Sequence, residues 1–370
     1  MSETPLESLR DVLSLDCPSC GARLHYSADH QSLLCDHCGY REDCNKVNDE
    51  VIERCLHQSV ESLADYKIEN SGKVIYNCGN CSAKLILDHD QTRINCAFCG
   101  SEKVNLEAFN RRYIRPSGIL PFKVARDKAF KQFKQWIGRG WFHPGKLKEM
   151  AKIEGLHGIY IPFWTFDAMT QNQWSGEAGT YYYETQRVRV NGQWQNRQVR
   201  KVRWQWRQGQ FEYFFDDILV SSSHQLSQSF LERILPFELS EVVNFDPRLM
   251  VGWESEVYNI GLKDGFVEAV NIMNNHIRMM STSALGGDTQ RNLRVHTDRS
   301  DETFKHIVLP IWLASYTYKN KIYRFIINGQ NGKVHGQKPY SWVRIALAVL
   351  ACILFVLLFV FLAESGILAG

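Results

Sequence analysis

The chain has 370 residues, 44% of them hydrophobic and 22% charged, a composition that fits a folded protein of more than one domain and excludes a disordered one. Its formal net charge of +3 hides an asymmetry: residues 1–110 hold 18 acidic and 10 basic side chains, a balance of −8, and the rest hold 22 acidic and 33 basic, a balance of +11. Met1 to Asp16 has neither a basic start nor a long apolar core, which argues against a secretory signal, so the ten cysteines before residue 100 read as reduced thiols or metal ligands rather than disulfides.

The first feature along the chain is a repeat. Cys17-x2-Cys20-x14-Cys35-x2-Cys38 recurs 61 residues later as Cys78-x2-Cys81-x14-Cys96-x2-Cys99. Structural zinc takes four ligands at tetrahedral corners, with thiolates at about 2.3 Å. Each Cys-x2-Cys turn supplies two sulfurs, and the 14 residues between turns fit two strands and a bend. Gly21, Gly39 and Gly100 follow the second cysteine of three turns, where a positive φ aims backbone N–H groups at sulfur; the fourth turn has Ser82. The expectation is two small β zinc ribbons, at 14–48 and 74–108, holding two structural Zn2+ ions. Cys44 and Cys55 read as plain thiols, and His37 as an exposed residue rather than a ligand. Two zinc–tetrathiolate sites would bring the −8 of this segment to about −12, a field that repels phosphate. The ribbons are therefore expected to dock a protein partner or to be structural. Between them, Val51, Ile52, Cys55, Leu56, Val60 and Leu63 recur at helical spacing, predicting a helical linker over 49–73.

Residues 109–338 read as an α+β body with antiparallel strands. Its first part, 111–157, is rich in Lys and Arg and reads as mainly helical. Phe130, Phe133 and Ile137 share one helical face there, with Lys128, Lys131 and Lys134 elsewhere, which suits either an interfacial helix or a surface helix packed on its own domain. Gly140-Trp-Phe-His-Pro-Gly-Lys146 opens like a phosphate-binding loop. However, Leu147 replaces the magnesium-binding Ser or Thr, and Pro144 removes a backbone donor. Strands are expected from near Gly158, through Tyr160-Ile-Pro-Phe-Trp164 and Tyr181-Tyr-Tyr183, to a hairpin turning at Asn191-Gly192. Helices are expected at about 224–235 and 254–284, and strands again from Asn292. Leu309-Pro-Ile-Trp312 echoes Ile161-Pro-Phe-Trp164, and the body closes on the turn-rich Asn328–Gly332.

Across the hairpin, Arg187, Arg189, Arg197, Arg200, Lys201, Arg203 and Arg207 interleave with Trp194, Trp204 and Trp206, with no acid among them. Such a segment suits single-stranded nucleic acid or a lipid headgroup surface, or is simply a solvated hairpin. Asp216, Asp217, Glu254 and Glu256 are the carboxylates nearest to a cluster, and nothing in the sequence brings them together. No catalytic residues are read.

Ile345 to Ala363 is 19 residues without charge. At about 1.5 Å per residue it matches the roughly 30 Å hydrocarbon core, so a transmembrane helix is expected over 343–363, with a short tail at 364–370. Lys333, Lys338 and Arg344 precede it and only Glu364 follows, which predicts a cytoplasmic body and an external tail. The fold class is multidomain: two β zinc ribbons, an α+β body and one C-terminal transmembrane helix.

The cysteine repeat, Tyr160–Phe166, Trp174–Gly179, Phe215–Val220, Lys305–Trp312 and Asn328–Gly336 together resemble a group of bacterial zinc-ribbon-containing, C-terminally membrane-anchored proteins, often labelled TFIIB-type zinc ribbon or primosomal-helicase-like. The resemblance covers almost the whole chain and implies an architecture and a bacterial inner-membrane setting, with no catalytic residues to carry over. The expected function is a non-enzymatic, membrane-tethered adaptor that recruits protein partners. The alternative is a membrane-anchored nucleic-acid-binding protein using 187–207.

Overall fold

A computed structural model describes residues 15–44, 51–62, 73–88, 96–98, 101, 104–107, 114–144, 152–190, 193–226, 228–319 and 321–364. Its spine is three long strands: β1 (Lys152–Val190), β2 (Gln193–Ser221) and β3 (Thr289–Tyr318), with a shorter β4 (Lys321–Asn328). β1 is central. β2 runs antiparallel along one edge, from Gln193 opposite Val190 to Ser221 opposite Phe163. β3 runs antiparallel along the other, from Thr289 opposite Gly179 to Thr317 opposite Lys152, and β4 adds to its outer edge. Three longer helices accompany the strands: α1 (Arg126–Ile137), α2 (Leu262–Leu285) and α3 (Trp342–Glu364).

The same strands pass through two environments. At the base, every residue from Ile159 to Ala168 is buried, as a strand covered on both faces requires. Successive side chains point to opposite faces. Tyr160, Val308 and Trp312 join one core with Phe122, α1 and the first cysteine segment. Ile159, Ile161, Phe163 and Leu309 join another with the second cysteine segment. Further along, Trp164, Phe166 and Phe304 pack under α2. That helix approaches closely because Gly265 lies on Trp164, where a Cβ would come within 2.7 Å of the ring. Beyond the end of α2 the β1–β2 hairpin continues without cover, as a finger.

Both cysteine segments are built into the base. The first is a small antiparallel sheet of His25–Ser27, Ser32–Leu34 and Arg41–Asp43. It is tied down where Tyr26 N–H donates to the Val251 carbonyl and Trp253 Nε1 to the Tyr26 carbonyl, each at 3.0 Å. In the second, Lys73–Cys78 pairs with Lys84–Asp88 and Val104–Glu107. Lys84–Asp88 then pairs with Glu254–Glu256, which lies parallel to Ile159 and Tyr160 of β1.

Several expected helices are shorter than their patterns. In 111–157 the described helix is α1 alone. Gly118–Ile119 is a strand beside β3, and β1 begins at Lys152. On α1 the buried face is Ala129, Phe133 and Ile137, and Phe130 is left at the surface under Lys134. In the linker, Arg54–Cys55 pairs with β3, so the helix spans Leu56–Ser62. The 254–284 helix starts at Leu262 because Glu254–Glu256 is captured between two strands. The 224–235 helix is only Gln228–Leu231. Ahead of it, side-chain bonds of Ser221 and Ser223 to nearby backbone groups compete with helix. Asn191 and Gly192 lie outside the described residues.

The C-terminal helix α3 is long and apolar enough to cross a membrane. All side chains from Val349 to Phe359 are exposed, so it is not a core helix of the body.

Candidate metal centres

Cys17, Cys20, Cys35 and Cys38 converge, their sulfurs all within 4.8 Å of one another. Cys17 Sγ lies 3.5 Å from Cys38 Sγ, and Cys20 Sγ lies 3.6 Å from Cys35 Sγ. A disulfide would need about 2.05 Å. Four sulfurs at about 2.3 Å from one ion would stand about 3.8 Å apart. The spacing is thus that of a metal cage, and the cysteines are free. Cys78, Cys81 and Cys96 form a second group, with Cys81 Sγ 3.7 Å from Cys96 Sγ. Cys99, the fourth expected ligand, lies outside the described residues.

The backbone explains why the repeat folds this way. In all four turns the first cysteine's N–H donates to the carbonyl five residues on: Cys17 to Ala22, Cys35 to Tyr40, Cys78 to Ala83 and Cys96 to Ser101, at 2.6 to 2.9 Å. The residue after the second cysteine then donates back to the first, from Gly21, Gly39 and Ser82. Gly21, Gly39 and Ser82 have φ of 72°, 76° and 59°. Serine therefore adopts the left-handed geometry that Gly21 and Gly39 supply in the first segment, at a cost the turn absorbs; Gly100 lies outside the described residues. Cys35 is drawn down to about 7 by the Cys38 backbone N–H, with the His37 N–H adding to it. Cys20 goes the other way: the Ala22 N–H favours its thiolate, but desolvation and the neighbouring sulfurs push it up to about 12. Cys38 is raised as well: the Tyr40 N–H favours its thiolate, but desolvation and the neighbouring sulfurs outweigh it. A cation among the sulfurs would relieve both raised thiols. His37 is exposed, Cys44 is buried against the first segment's core, and Cys55 is exposed on the short strand beside β3.

The acidic residues sort differently from their order in sequence. Asp216 and Asp217 meet Asp167, while Glu254 and Glu256 lie on the strand beside the second cysteine segment. Asp217 sits at a bulge in β2 with φ of 51°, and its N–H donates to Asp167 Oδ1 at 2.6 Å. Thr303 Oγ1 donates to Asp167 Oδ2 at 2.9 Å. Lys305 Nζ bridges Asp217 at 2.7 Å and Glu53 at 3.1 Å. Burial alone would lower Lys305, but the Asp217 carboxylate holds it above its ordinary range. The cluster borders a cleft of about 860 Å³ that Thr165, Lys123 and Glu241 also line. Lys305 offsets one of its carboxylate charges, and no histidine or cysteine lines the cleft among the described residues. Sequence reading missed Asp167 and Lys305. The available signal was an acid inside the apolar run Tyr160–Ala168. Glu256 is buried, donated to by Ser223 Oγ at 2.8 Å, and pushed up to about 8 by burial.

On the finger, register sets two faces. Trp194, Trp204, Trp206 and Arg200 share one with Arg187, Arg189, Tyr181 and Tyr183 of β1; Arg197, Lys201, Arg203 and Arg207 share the other. Trp194 and Trp206 are 66% and 57% exposed. Trp204 is half-buried beneath Arg291, 4.1 Å from its ring. Several cations are already engaged. Lys201 pairs with Glu184, Arg207 donates to the Leu285 carbonyl, and Arg200 and Arg203 lie over Tyr181 and Tyr182.

No family model matches the chain, and no solved structure matches it. A Bacillus subtilis (strain 168) protein described as "Uncharacterized protein YdjG" is similar to it, 25% identical over 344 residues that cover 90% of this chain and 92% of that protein.

Proposed function

We propose that this chain is a non-catalytic, membrane-tethered adaptor. Two structural Zn2+ ions, held by Cys17, Cys20, Cys35 and Cys38 and by Cys78, Cys81, Cys96 and Cys99, make zinc ribbons of the two segments and brace opposite faces of the base. α3 spans a bacterial inner membrane. Lys333, Lys338 and Arg344 on its body side favour a cytosolic body, and reduced thiolates suit the same compartment.

The observation that carries the adaptor reading is the placement of the finger. The β1 end at Lys152 pairs with Thr317, and close by the Tyr316 hydroxyl donates to the Gln337 carbonyl on the approach to α3. The finger closes at the other end of β1, a strand of 39 residues. At about 3.3 Å per residue that is a contour on the order of 130 Å, shortened by twist and bulges. A surface so far from the helix root is suited to a soluble partner rather than to the lipid that holds the helix. With four of its cations engaged internally, a protein with acidic side chains fits it better than a phosphate backbone. The acidic ribbons offer a second docking surface at the base.

The test is a photo-reactive phenylalanine analogue in place of Trp206, crosslinked in living cells. A protease-sensitive adduct supports the adaptor. A nuclease-sensitive adduct supports the nucleic-acid alternative, and absence of any adduct contradicts both.

A further inference from the structure

The segment Gly140–Pro144, whose sequence opens like a phosphate-binding loop, is fastened instead to the root of α3. Ser341 N–H donates to the Phe142 carbonyl at 2.7 Å, and Arg344 Nη1 donates to the Trp141 carbonyl at 2.9 Å. His143 Nδ1 lies 2.8 Å from the Pro339 carbonyl, which can only accept, so Nδ1 carries the proton. The same imidazole stacks on Tyr340, with ring centroids 5.5 Å apart. These contacts hold the loop level with the first turn of the helix.

What the loop displays there is apolar. Trp141 is 75% exposed and Phe142 44%; next to them Tyr340 is 66% and Trp342 79% exposed. Four large aromatic rings left in water around the root of an apolar helix is a costly arrangement for a protein surrounded by solvent. Tryptophan and tyrosine, however, settle at the boundary between headgroups and acyl chains. Cations accompany them. Arg344 is anchored to the loop through the Trp141 carbonyl. Lys338 Nζ donates to the Trp136 and Arg139 carbonyls at 2.5 and 3.0 Å and lies 4.2 Å from the Trp136 ring. Arg139 itself comes just after the end of α1. Positive side chains at this level meet anionic lipid headgroups.

We propose that Trp141, Phe142, Tyr340 and Trp342 form an aromatic collar seated in the lipid headgroup layer, making the 140–144 loop a second membrane contact beside α3. The inference rests on the reading of α3 as a membrane span and deepens it. The occupant is lipid because the loop is bonded to residues within one turn of the helix start, so the bilayer that takes up the helix must also reach the loop. The collar fixes how deep α3 sits and lays the base of the body against the membrane, so that β1 carries the finger away from it.

The experiment uses the full chain in nanodiscs of phosphatidylcholine and phosphatidylglycerol. A benzophenone-bearing phenylalanine analogue is placed, in separate preparations, at position 142, at position 355 within α3, or at position 183 on the finger. Phe355 and Tyr183 are 70% and 65% exposed, so neither substitution disturbs a core. Lipid adducts are read by mass spectrometry after illumination. The expected result is lipid adducts at 142 and 355 and none at 183. Adducts at 355 without any at 142 would overturn the collar and leave the span standing. No lipid adduct at 355 would overturn the span, and the collar with it. Crosslinks from 142 to a second copy of the chain, in place of lipid, would replace the collar with a dimer contact.

Discussion

Base and finger are stretches of the same two strands, and they use opposite chemistry. In the base, β1 is buried without interruption from Ile159 to Ala168, with aromatic rings from both strands on the covered faces. In the finger the same strand reads Tyr181 to Arg189 with most side chains in water, and its partner carries Trp194 and Trp206 outward. The lesson is that strand length here does not track core size. Pairing register propagates the hairpin well past the last residue that packing can stabilise, which suits a stretch selected for what it touches rather than for what it buries.

The comparison is broken most severely at the cysteines. On the proposed zinc reading, Cys35→Ser, at a fully buried member of the first sulfur group, should cost the first segment its metal-coupled folding energy, on the order of 10 kcal/mol. Zinc per chain should fall by one ion, and limited proteolysis should open the segment 15–44. Cys55→Ser, at an exposed thiol outside both groups, should change neither.

The next effect contrasts two tryptophans. Trp164 is fully buried, its Nε1 donating to the Ile260 carbonyl at 3.0 Å. Trp164→Ala should destabilise the body by about 3–5 kcal/mol, read by denaturant or thermal unfolding in detergent. Trp206→Ala on the finger should stay within about 0.5 kcal/mol. Equal losses at the two positions would mean that the finger is packed and not free.

A smaller effect depends on pH. His306 is buried on the Trp164 ring, centroids 4.5 Å apart, with Nδ1 bonded to the Ile114 carbonyl and Nε2 without a hydrogen-bond partner among the described residues. Burial lowers it from 6.5 to about 4. Between those pH values the unfolded chain binds more protons, so stability rises with pH across that window. What the group contributes above pH 6.5 is lost as pH falls to about 4, up to roughly 3 kcal/mol. His306→Asn should flatten this part of the stability curve, while leaving the finger's crosslinking unchanged.

The parts of the molecule legible in the sequence were those with local causes. The Cys-x2-Cys spacing is set by one turn that brings two sulfurs together, and all four turns repeat the bond from the first cysteine's N–H to the carbonyl five residues on. The apolar run of α3 is a composition signal, and Tyr160–Trp164 reads as a strand from its run of apolar residues, while the cover on both of its faces emerged only in the structure. What stayed hidden depends on distant partners. Asp167 meets Asp217 across 50 residues and Thr303 across 136, and no local pattern links them. Glu254–Glu256 carries a helical periodicity that loses to pairing with Lys84–Asp88 and β1. The Gly140 loop suggested phosphate by its spacing, and its hydrogen-bond partners Ser341 and Arg344 lie about 200 residues away in sequence.

X-ray absorption at the zinc edge, on the full chain purified in detergent without chelator, tests the metal centres most directly. The account predicts two zinc ions per chain, each with a first shell of four sulfurs at about 2.3 Å. Less than one zinc per chain, or a first shell of nitrogen and oxygen in place of sulfur, would contradict it.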